Sequence, residues 1–375
     1  MKLLCIYPAM SKKFNDYAHV LIYLKKMGVD LTIIASRCYR LKSNERSPDY
    51  EDMDGIPIYR IYENFSEQVS FPVKKYDQVL DIAIKFKPDI IMNSQQLNMH
   101  IAHKLKKDLG IPIILVVEYA KNPFKLINRR WYLGLKPFGY AVAKVYWRWL
   151  SRQSSAIITS FVGDKKYLKE LSKYDTPVYY VPWCNQIPPE IENYNNKKNK
   201  YRGIYIGSIS QQKNTNEFEK TIPIILQHTP IKQFMVVGPG SGVSIINNLR
   251  QQYKQQIKYL ESLSRIEALK LIQSSFFSYT PVKEGGWGFI GDSWGVKTPL
   301  IVTHNEYEFN DRKDALVVDR LENIANVVNE LYHDDSLYRT LQEKGYERYR
   351  KFHSAESIAQ SLYKIISDTI NSNSR

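Results

Sequence analysis

Short, wholly apolar runs alternate with helix-patterned segments along almost the whole chain, and this alternation limits the possible folds more than any other feature. Residues 3–7, 31–35, 56–61, 89–92, 113–117, 156–159 and 178–181 have the character of strands. Between them, residues 17–27, 76–86 and 97–109 carry helical patterns, with Gly28 and Gly110 as stops and Asp54-Gly55 as a turn. A strand that is apolar on both faces must be covered on both faces, the condition of a parallel sheet sandwiched by helices. A polar, proline-started run over 187–200 interrupts the pattern and has no apolar periodicity. The alternation then restarts, with strands expected at 203–206, 234–237, 257–260, 276–280, 300–303 and 316–318. Helices follow at 321–331, 336–352 and 355–370. The expected fold is α/β: two Rossmann-like, doubly wound domains, 1–190 and 191–375, facing a cleft in which ligands commonly bind. The last helix is placed to pack back on the first domain.

A length of 375 residues suits two domains, and a hydrophobic content of 43% suits packed cores rather than disorder. No apolar run approaches the roughly 18 residues that a membrane-spanning helix needs. The amino-terminal apolar run is too short for a signal peptide. Cys5, Cys38 and Cys184 are too scattered for a disulfide or metal framework. These features point to a cytoplasmic protein without a bound metal. The net charge of +15 would attract nucleic acid, anionic lipid or a phosphorylated substrate, and charge alone does not choose among them. A generally basic surface from a Lys- and Asn-rich composition competes with all three. Zinc-finger spacing, an aromatic RNA-binding signature and an isolated helix-turn-helix unit are all missing, which makes nucleic acid the weakest partner class.

Chemistry concentrates in residues 281–299, PVKEGGWGFIGDSWGVKTP. Glu284 and Asp292 stand eight positions apart around a glycine-rich stretch that includes Gly285, Gly286 and Gly288, with Trp287 among them. An apolar strand runs into the first acid, and a new element begins near the second. In a strand, glycine turn and helix start, free backbone N–H groups and a helix dipole can meet an anion. The acids can accept hydrogen bonds from sugar hydroxyls. A nucleotide-sugar carries both kinds of group. An ordinary strand-to-helix turn, with glycines for tight packing, is the competing reading.

The spacing Glu284-x7-Asp292, with Pro299 seven residues later, resembles the Glu-x7-Glu signature of the retaining GT-B glycosyltransferases, family 4 in particular. That resemblance implies that Glu284 contacts the transferred sugar and that Asp292 grips the donor ribose. Two departures stand out: Asp292 is one methylene shorter than the usual Glu, and Lys297 occupies the place of a glycine before Thr298-Pro299. Gly207-Ser208, with Lys213 six residues after the glycine, is similar to the family's Gly-Arg and Lys diphosphate site. Lys213 matches, whereas Ser208 replaces the Arg. The loop 237–242, with Gly238, resembles the family's glycine loop beside the donor, and 259–269, from Leu260 onward, resembles its nucleobase-facing segment. Ser264 and Glu267 there also form a capping-box pair, which is a sufficient structural reason for both.

This resemblance implies a glycosyltransferase, of hexoses, that uses a nucleotide-sugar, keeps the anomeric configuration and needs no metal or other cofactor. A GT-B sugar-nucleotide epimerase is the alternative within enzymes. A non-catalytic sugar-nucleotide binder and a basic nucleic-acid-binding protein are alternatives of other classes.

In the first half the resemblance extends only to architecture. The loop 8–17 lacks the family's Gly-Gly pair, and Glu118 stands where the family often has His. A carboxylate ending an apolar strand is a candidate for a raised pKa, with a catalytic, acceptor-steering or purely structural role. His100 and His103 fall inside a helical pattern. Residues 121–152 hold eight Lys or Arg, eight aromatic residues and no acid. At helical spacing Phe138, Ala141, Val142, Val145, Tyr146, Trp149 and Leu150 share one face, and Lys136, Lys144, Arg148 and Arg152 share the other. Such a helix can rest on anionic headgroups at the inner face of a membrane, where a lipid-linked acceptor would present its sugar. It can equally pack on its own domain with a solvated basic edge.

Overall fold

The computed structural model describes residues 1–8, 10, 16–38, 46–117, 136–160, 165, 168–169, 176–192, 194, 198–281, 286–305 and 308–373, with backbone alone for 16, 136–143 and 212. The chain divides into two compact units, 1–182 with 355–375, and 183–354.

The first unit is built on strands β1 (Lys2–Ile6), β2 (Asp30–Ser36), β3 (Tyr50–Met53), β4 (Ile56–Tyr62), β5 (Ile90–Ser94), β6 (Ile113–Val117), β7 (Ala156–Thr159) and β8 (Val178–Tyr180). They form one sheet in the order β3-β4-β2-β1-β5-β6-β7-β8. Every pair is parallel except β3 with β4. Strand β3 escapes the apolar pattern because Tyr50-Glu-Asp-Met is a mostly polar edge strand. It is joined to β4 through Asp54 and Gly55, both at positive φ (52° and 79°), the conformation a two-residue hairpin turn needs.

The central strands are buried along almost their whole length, so helices must cover both sheet faces. Leu4, Ile6, Val79, Leu105, Ile113 and Trp147 belong to one continuous core. Helix α1 (Asp16–Lys26) lies against the last helix (Ala355–Asn373), which is how the carboxy-terminal segment joins this unit. Strand β1 lies between β2 and β5, where the winding of the sheet reverses. In such sheets the crevice beyond the carboxyl ends of the strands at this reversal is where ligands bind.

The second unit repeats the plan with β9 (Asn199–Ile206), β10 (Gln233–Val237), β11 (Ile257–Leu260), β12 (Ser275–Thr280), β13 (Leu300–Val302) and β14 (Leu316–Val317). The order is β11-β10-β9-β12-β13-β14, all parallel, and the reversal falls between β9 and β12. The unit begins at Trp183, earlier than the expected boundary after 190, and 187–200 is not a free linker. Asn185 N–H donates to the His353 carbonyl (2.9 Å), and Tyr349 Oη–H donates to the Asn185 carbonyl (3.1 Å). Ile187 and Ile191 are buried, the latter on a short helix, Pro189–Glu192. Two buried isoleucines in a polar run are too few to register as a period, yet they anchor it.

Candidate functional site

The carboxyl edge of the second sheet is made of main chain. After β9, Gly207 N–H donates to Val237 O and Ile209 N–H to Pro239 O, each at 2.9 Å. Gly242 N–H returns to Ile209 O and Gly238 N–H reaches Leu260 O, also at 2.9 Å. The loops after β9, β10 and β11 are thus laced backbone to backbone. Gly238 and Gly240 make this possible: at φ +135° and +155°, a Cβ would sit 2.1 Å from the Gly207 carbonyl oxygen and 2.0 Å from that of Ile209. Only glycine fits there. Ser208 is exposed, and its carbonyl accepts from the Tyr205 hydroxyl at 3.1 Å. Leu260 lends its carbonyl to the lacing while its side chain stays exposed.

Lys213 closes a short 3-10 turn over Gln211–Lys213, with its N–H on Ser210 O at 2.9 Å, and is half-buried. Its neighbour Asn214 is left-handed (φ 54°), a conformation asparagine tolerates better than most residues. Asn214 leads into a second 3-10 turn, Thr215–Glu217. Glu217 is bonded there to residues at the end of β13. Thr303 Oγ1 donates to Glu217 Oε2 (2.8 Å), His304 Nε2 lies 2.8 Å from Oε1, and Asn214 Nδ2 lies 3.0 Å from His304 Nε2.

Helix α10 (Trp287–Gly295; α2 to α9 are Phe65–Gln68, Tyr76–Phe86, Met99–Leu109, Lys136–Gln153, Pro189–Glu192, Phe218–His228, Val243–Gln252 and Arg265–Gln273) follows β12, the strand beside β9. Gly286 is its N-cap, Trp287 is buried and Gly288 is exposed. Asp292, one turn further on, is buried and paired with Arg265, the first residue of α9: Nη2 donates to Oδ1 at 2.7 Å, and Nη1 donates to Oδ2. Asn185 Nδ2 adds a bond to Oδ1 at 3.0 Å and another to Gly288 O at 2.7 Å. A carboxylate offers about four lone-pair positions; the described residues take three of them, two on Oδ1 and one on Oδ2.

Beneath this helix His353 packs against Trp287 and Trp294, with ring centroids 4.6 and 5.5 Å away. Burial pushes its pKa down to about 3, so the ring is neutral and Nδ1–H donates to the Trp183 carbonyl (3.1 Å). Lys297, after the helix, is left-handed (φ 55°), the conformation glycine would adopt freely, and its ammonium lies 4.6 Å from the Tyr346 ring centroid.

The equivalent edge of the first unit has different chemistry. From the end of β5 onward the chain reads Asn93-Ser-Gln-Gln-Leu-Asn98, and its four amide side chains are buried. Asn93 Nδ2 donates to Gln95 O (2.9 Å), Asn98 Nδ2 to Ser94 O (2.8 Å) and Gln68 Nε2 to Tyr7 O (3.1 Å). Because each NH2 group is committed to a carbonyl, the opposite oxygens are acceptors by necessity. Among the described residues Asn93 Oδ1, Asn98 Oδ1 and Gln68 Oε1 are buried without a donor. Gln95 is itself left-handed in φ (70°), a sparsely populated conformation that clusters at functional positions.

The basic, aromatic helix α5 turns its aromatic side inward. Trp147 and Leu150 are fully buried, Tyr146 Oη–H donates to Gln96 O (2.8 Å), and Trp149 meets His103 edge-on at 5.4 Å. Lys144, Arg148 and Arg152 are exposed, as the sequence suggested. Val145, however, stands outward among them at 66% exposure, and Trp147 is buried in its stead. The face that packs is set by α4 and its loop rather than by the helix's own apolar count. Tyr146, Trp147 and Trp149 are therefore used inside the unit rather than as membrane anchors. Among the described residues no helix is long and apolar enough to cross a membrane.

Of the expected donor residues, Gly207, Ser208, Lys213, Gly238 and Leu260 gather on the β9-β10-β11 edge, and Gly286, Trp287, Gly288 and Asp292 lie on the element leaving β12. Glu284, Gly285 and Glu118 lie outside the described residues, as does the side chain of Lys136. The expected capping box at α9 is present: Ser264 N–H donates to Glu267 Oε2 (2.9 Å) and Glu267 N–H to Ser264 Oγ (3.3 Å). Sequence reasoning missed Arg265, Asn185, Glu217 and His304. Their partners are distant in the chain, and only the amide-rich run after β5 left a visible signal.

The chain matches no protein-family model and no curated protein sequence. Its fold is shared with solved structures along their full length. Sucrose-phosphate synthase from Thermosynechococcus elongatus superposes with a TM-score of 0.73 at 13% identity, over 99% of this chain and 100% of that one. A glycosyltransferase from Rickettsia africae gives 0.68 at 14%, over 98% of each. HepE from Anabaena, in complex with UDP-glucose, gives 0.65 at 11%, over 98% and 100%. Identities this low establish likeness of fold, and the fold is the GT-B one that the sequence led us to expect.

Proposed function

We propose that the protein is a glycosyltransferase that moves a hexosyl group from a nucleoside-diphosphate sugar to a hydroxyl acceptor. The observation that carries this reading is the main-chain edge with Lys213 at the reversal of the second sheet, in a fold shared with a protein that binds UDP-glucose. The leaving group is a nucleoside diphosphate. Lys213 would stabilise its charge as the glycosidic bond breaks, a role of a preorganised group aimed at developing charge, and the glycine-laced edge beside it would let the diphosphate approach closely. Gly286 and the start of α10 add the positive end of a helix dipole. With these groups carrying the diphosphate charge, transfer proceeds without a metal.

Asp292 would meet the ribose through Oδ2, with Arg265 and Asn185 fixing the carboxylate. Glu284, by the family resemblance, would contact the sugar, and the anomeric configuration would be retained. In the first unit, the amide oxygens beyond β5 suit an acceptor that offers hydroxyl groups. The exposed Lys144, Arg148 and Arg152 support a peripheral, electrostatic contact with anionic lipid at the cytoplasmic face. A thermal-shift panel of nucleoside diphosphates and their sugars tests the reading, since a ligand of the native state raises its melting temperature. Stabilisation by at least one such pair is expected; none across the panel refutes it.

A further inference from the structure

We propose that Asn185 is a positioning residue for nucleotide binding. It seats the opening stretch of the second unit on α10 and holds the Asp292 carboxylate from there, so that seating and nucleotide strengthen one another. The inference rests on the ribose role given to Asp292 above. The second unit runs from Trp183 to Ser354, so residues 185–187 belong to its opening stretch. Gly288, Gly291 and Gly295 recur at three- and four-residue intervals along α10, which places them on one face of the helix. A Cβ on Gly291 would stand 2.1 Å from Asn185 Oδ1, and one on Gly295 would stand 2.6 Å from Ile187 Cγ1. Glycine is a poor helix former, and at these two positions the reason for it is the opening stretch, which lies in the groove they leave.

Asn185 and Ile187 are buried. The Asn185 amide can stand only one way round. Nδ2 lies 2.7 Å from the Gly288 carbonyl and 3.0 Å from Asp292 Oδ1; both are acceptors, so the NH2 group must face them. Oδ1 is turned to Gly291 and, among the described residues, is buried without a donor. Leaving that oxygen unpaired is unfavourable, and the two bonds made by Nδ2 are what the arrangement preserves.

The backbone of the same stretch is fastened to the close of the unit. Asn185 N–H donates to the His353 carbonyl (2.9 Å), Tyr349 Oη–H to the Asn185 carbonyl (3.1 Å), and His353 Nδ1–H to the Trp183 carbonyl (3.1 Å). Arg265, the carboxylate's other described partner, also donates to the Gln186 carbonyl at 3.2 Å. Each described partner of the Asp292 carboxylate is thus in the opening stretch or bonded to it. A ligand that fixes Asp292 then fixes 185–187, and by reciprocity whatever unseats 185–187 must weaken that ligand.

Calorimetry and hydrogen exchange on the full-length protein, with UDP and with inorganic pyrophosphate, test this. UDP should slow amide exchange over 183–187, and pyrophosphate, which lacks ribose, should not. Gly291→Ala displaces the Asn185 amide without altering Asp292 itself; it should weaken UDP by about tenfold and leave pyrophosphate affinity nearly unchanged. Asn185→Ala should do the same. Because both changes remove one contact, the double variant should bind UDP no more weakly than either alone. In the Asn185→Ala background, Gly291→Ala should no longer lower the melting temperature, since its clash is gone. Equal losses for UDP and pyrophosphate, unchanged UDP affinity in both variants, or bound UDP that leaves exchange over 183–187 as it was would each overturn the proposal. Faster exchange over 183–187 in Gly291→Ala, in a protein that binds no UDP at all, would uphold the seating and sink the nucleotide reading instead.

Discussion

The two sheets share a topology and differ in what stands at their carboxyl edges. Beyond β5, the first unit gathers buried amide side chains whose oxygens face away from the carbonyls that hold their NH2 groups. Beyond β9 and β10, the second unit is rich in glycine instead, and Gly238 and Gly240 let three loops touch through their main chains. A doubly wound sheet fixes where a ligand can sit but not which one. An edge of acceptors suits hydroxyl groups. A glycine-rich edge beside a lysine lets a phosphate come close to a positive charge. On the proposed reading, the donor half of a transfer reaction would fall to the second unit and the acceptor half to the first.

The largest effect should come from giving the second edge a side chain. Gly238→Val would drive a Cβ into the Gly207 carbonyl, and the second unit should lose about 4 kcal/mol or more. Urea unfolding measures it, and a loss below about 1 kcal/mol would mean that the loops are not locked as described.

Acid should also weaken the second unit. His353 has its native pKa near 3, below its unfolded value near 6.5, so the unfolded state takes up the proton first as pH falls. This contribution is complete above pH 6.5 and is lost on descending toward pH 3, by roughly 3 kcal/mol at pH 4. A His353→Phe variant should lack that portion of the acid sensitivity in thermal melts. An identical pH profile would contradict the buried neutral ring.

Arg265→Ala leaves Asp292 with Asn185 as its remaining described partner and should cost about 1–3 kcal/mol. If Asp292 also meets ribose, Asp292→Asn should weaken UDP more than inorganic pyrophosphate, which calorimetry separates. Equal losses would remove ribose from its role.

The smallest effect on stability should fall on the basic face of α5. Replacing Lys144, Arg148 and Arg152 with Gln should change stability by no more than about 0.5 kcal/mol, because all three are exposed. Co-sedimentation with anionic vesicles should nonetheless fall, and in the unaltered protein it should fade as salt rises. No sedimentation of the unaltered protein at low salt would leave α5 a structural helix.

Legibility followed locality. Strands such as 113–117 and 156–159 could be placed to the residue because burial on both faces leaves an almost uninterrupted apolar run. The Ser264 and Glu267 capping box was visible because its members are three residues apart. Strand β3 was not, since an antiparallel edge need not be apolar. On α5 the apolar residues were found, but which of them pack depends on α4, so Val145 and Trp147 exchanged places. Asp292 was found through its spacing from Glu284, whereas Arg265 and Asn185 lie 27 and 107 residues away from it and carried no signal. The glycine loop after β10 was readable as a turn, but only the approach of Gly207 explains why it must be glycine.

The claim that the second edge holds a nucleoside-diphosphate leaving group is tested most directly at Lys213. Donor hydrolysis or transfer should be measured with UDP-sugars for the unaltered protein and Lys213→Ala, alongside their melting temperatures. We expect kcat/KM to fall by about two to three orders of magnitude, with folding little changed, since one preorganised charge contact to the leaving group is lost. An unchanged kcat/KM in Lys213→Ala would contradict the account.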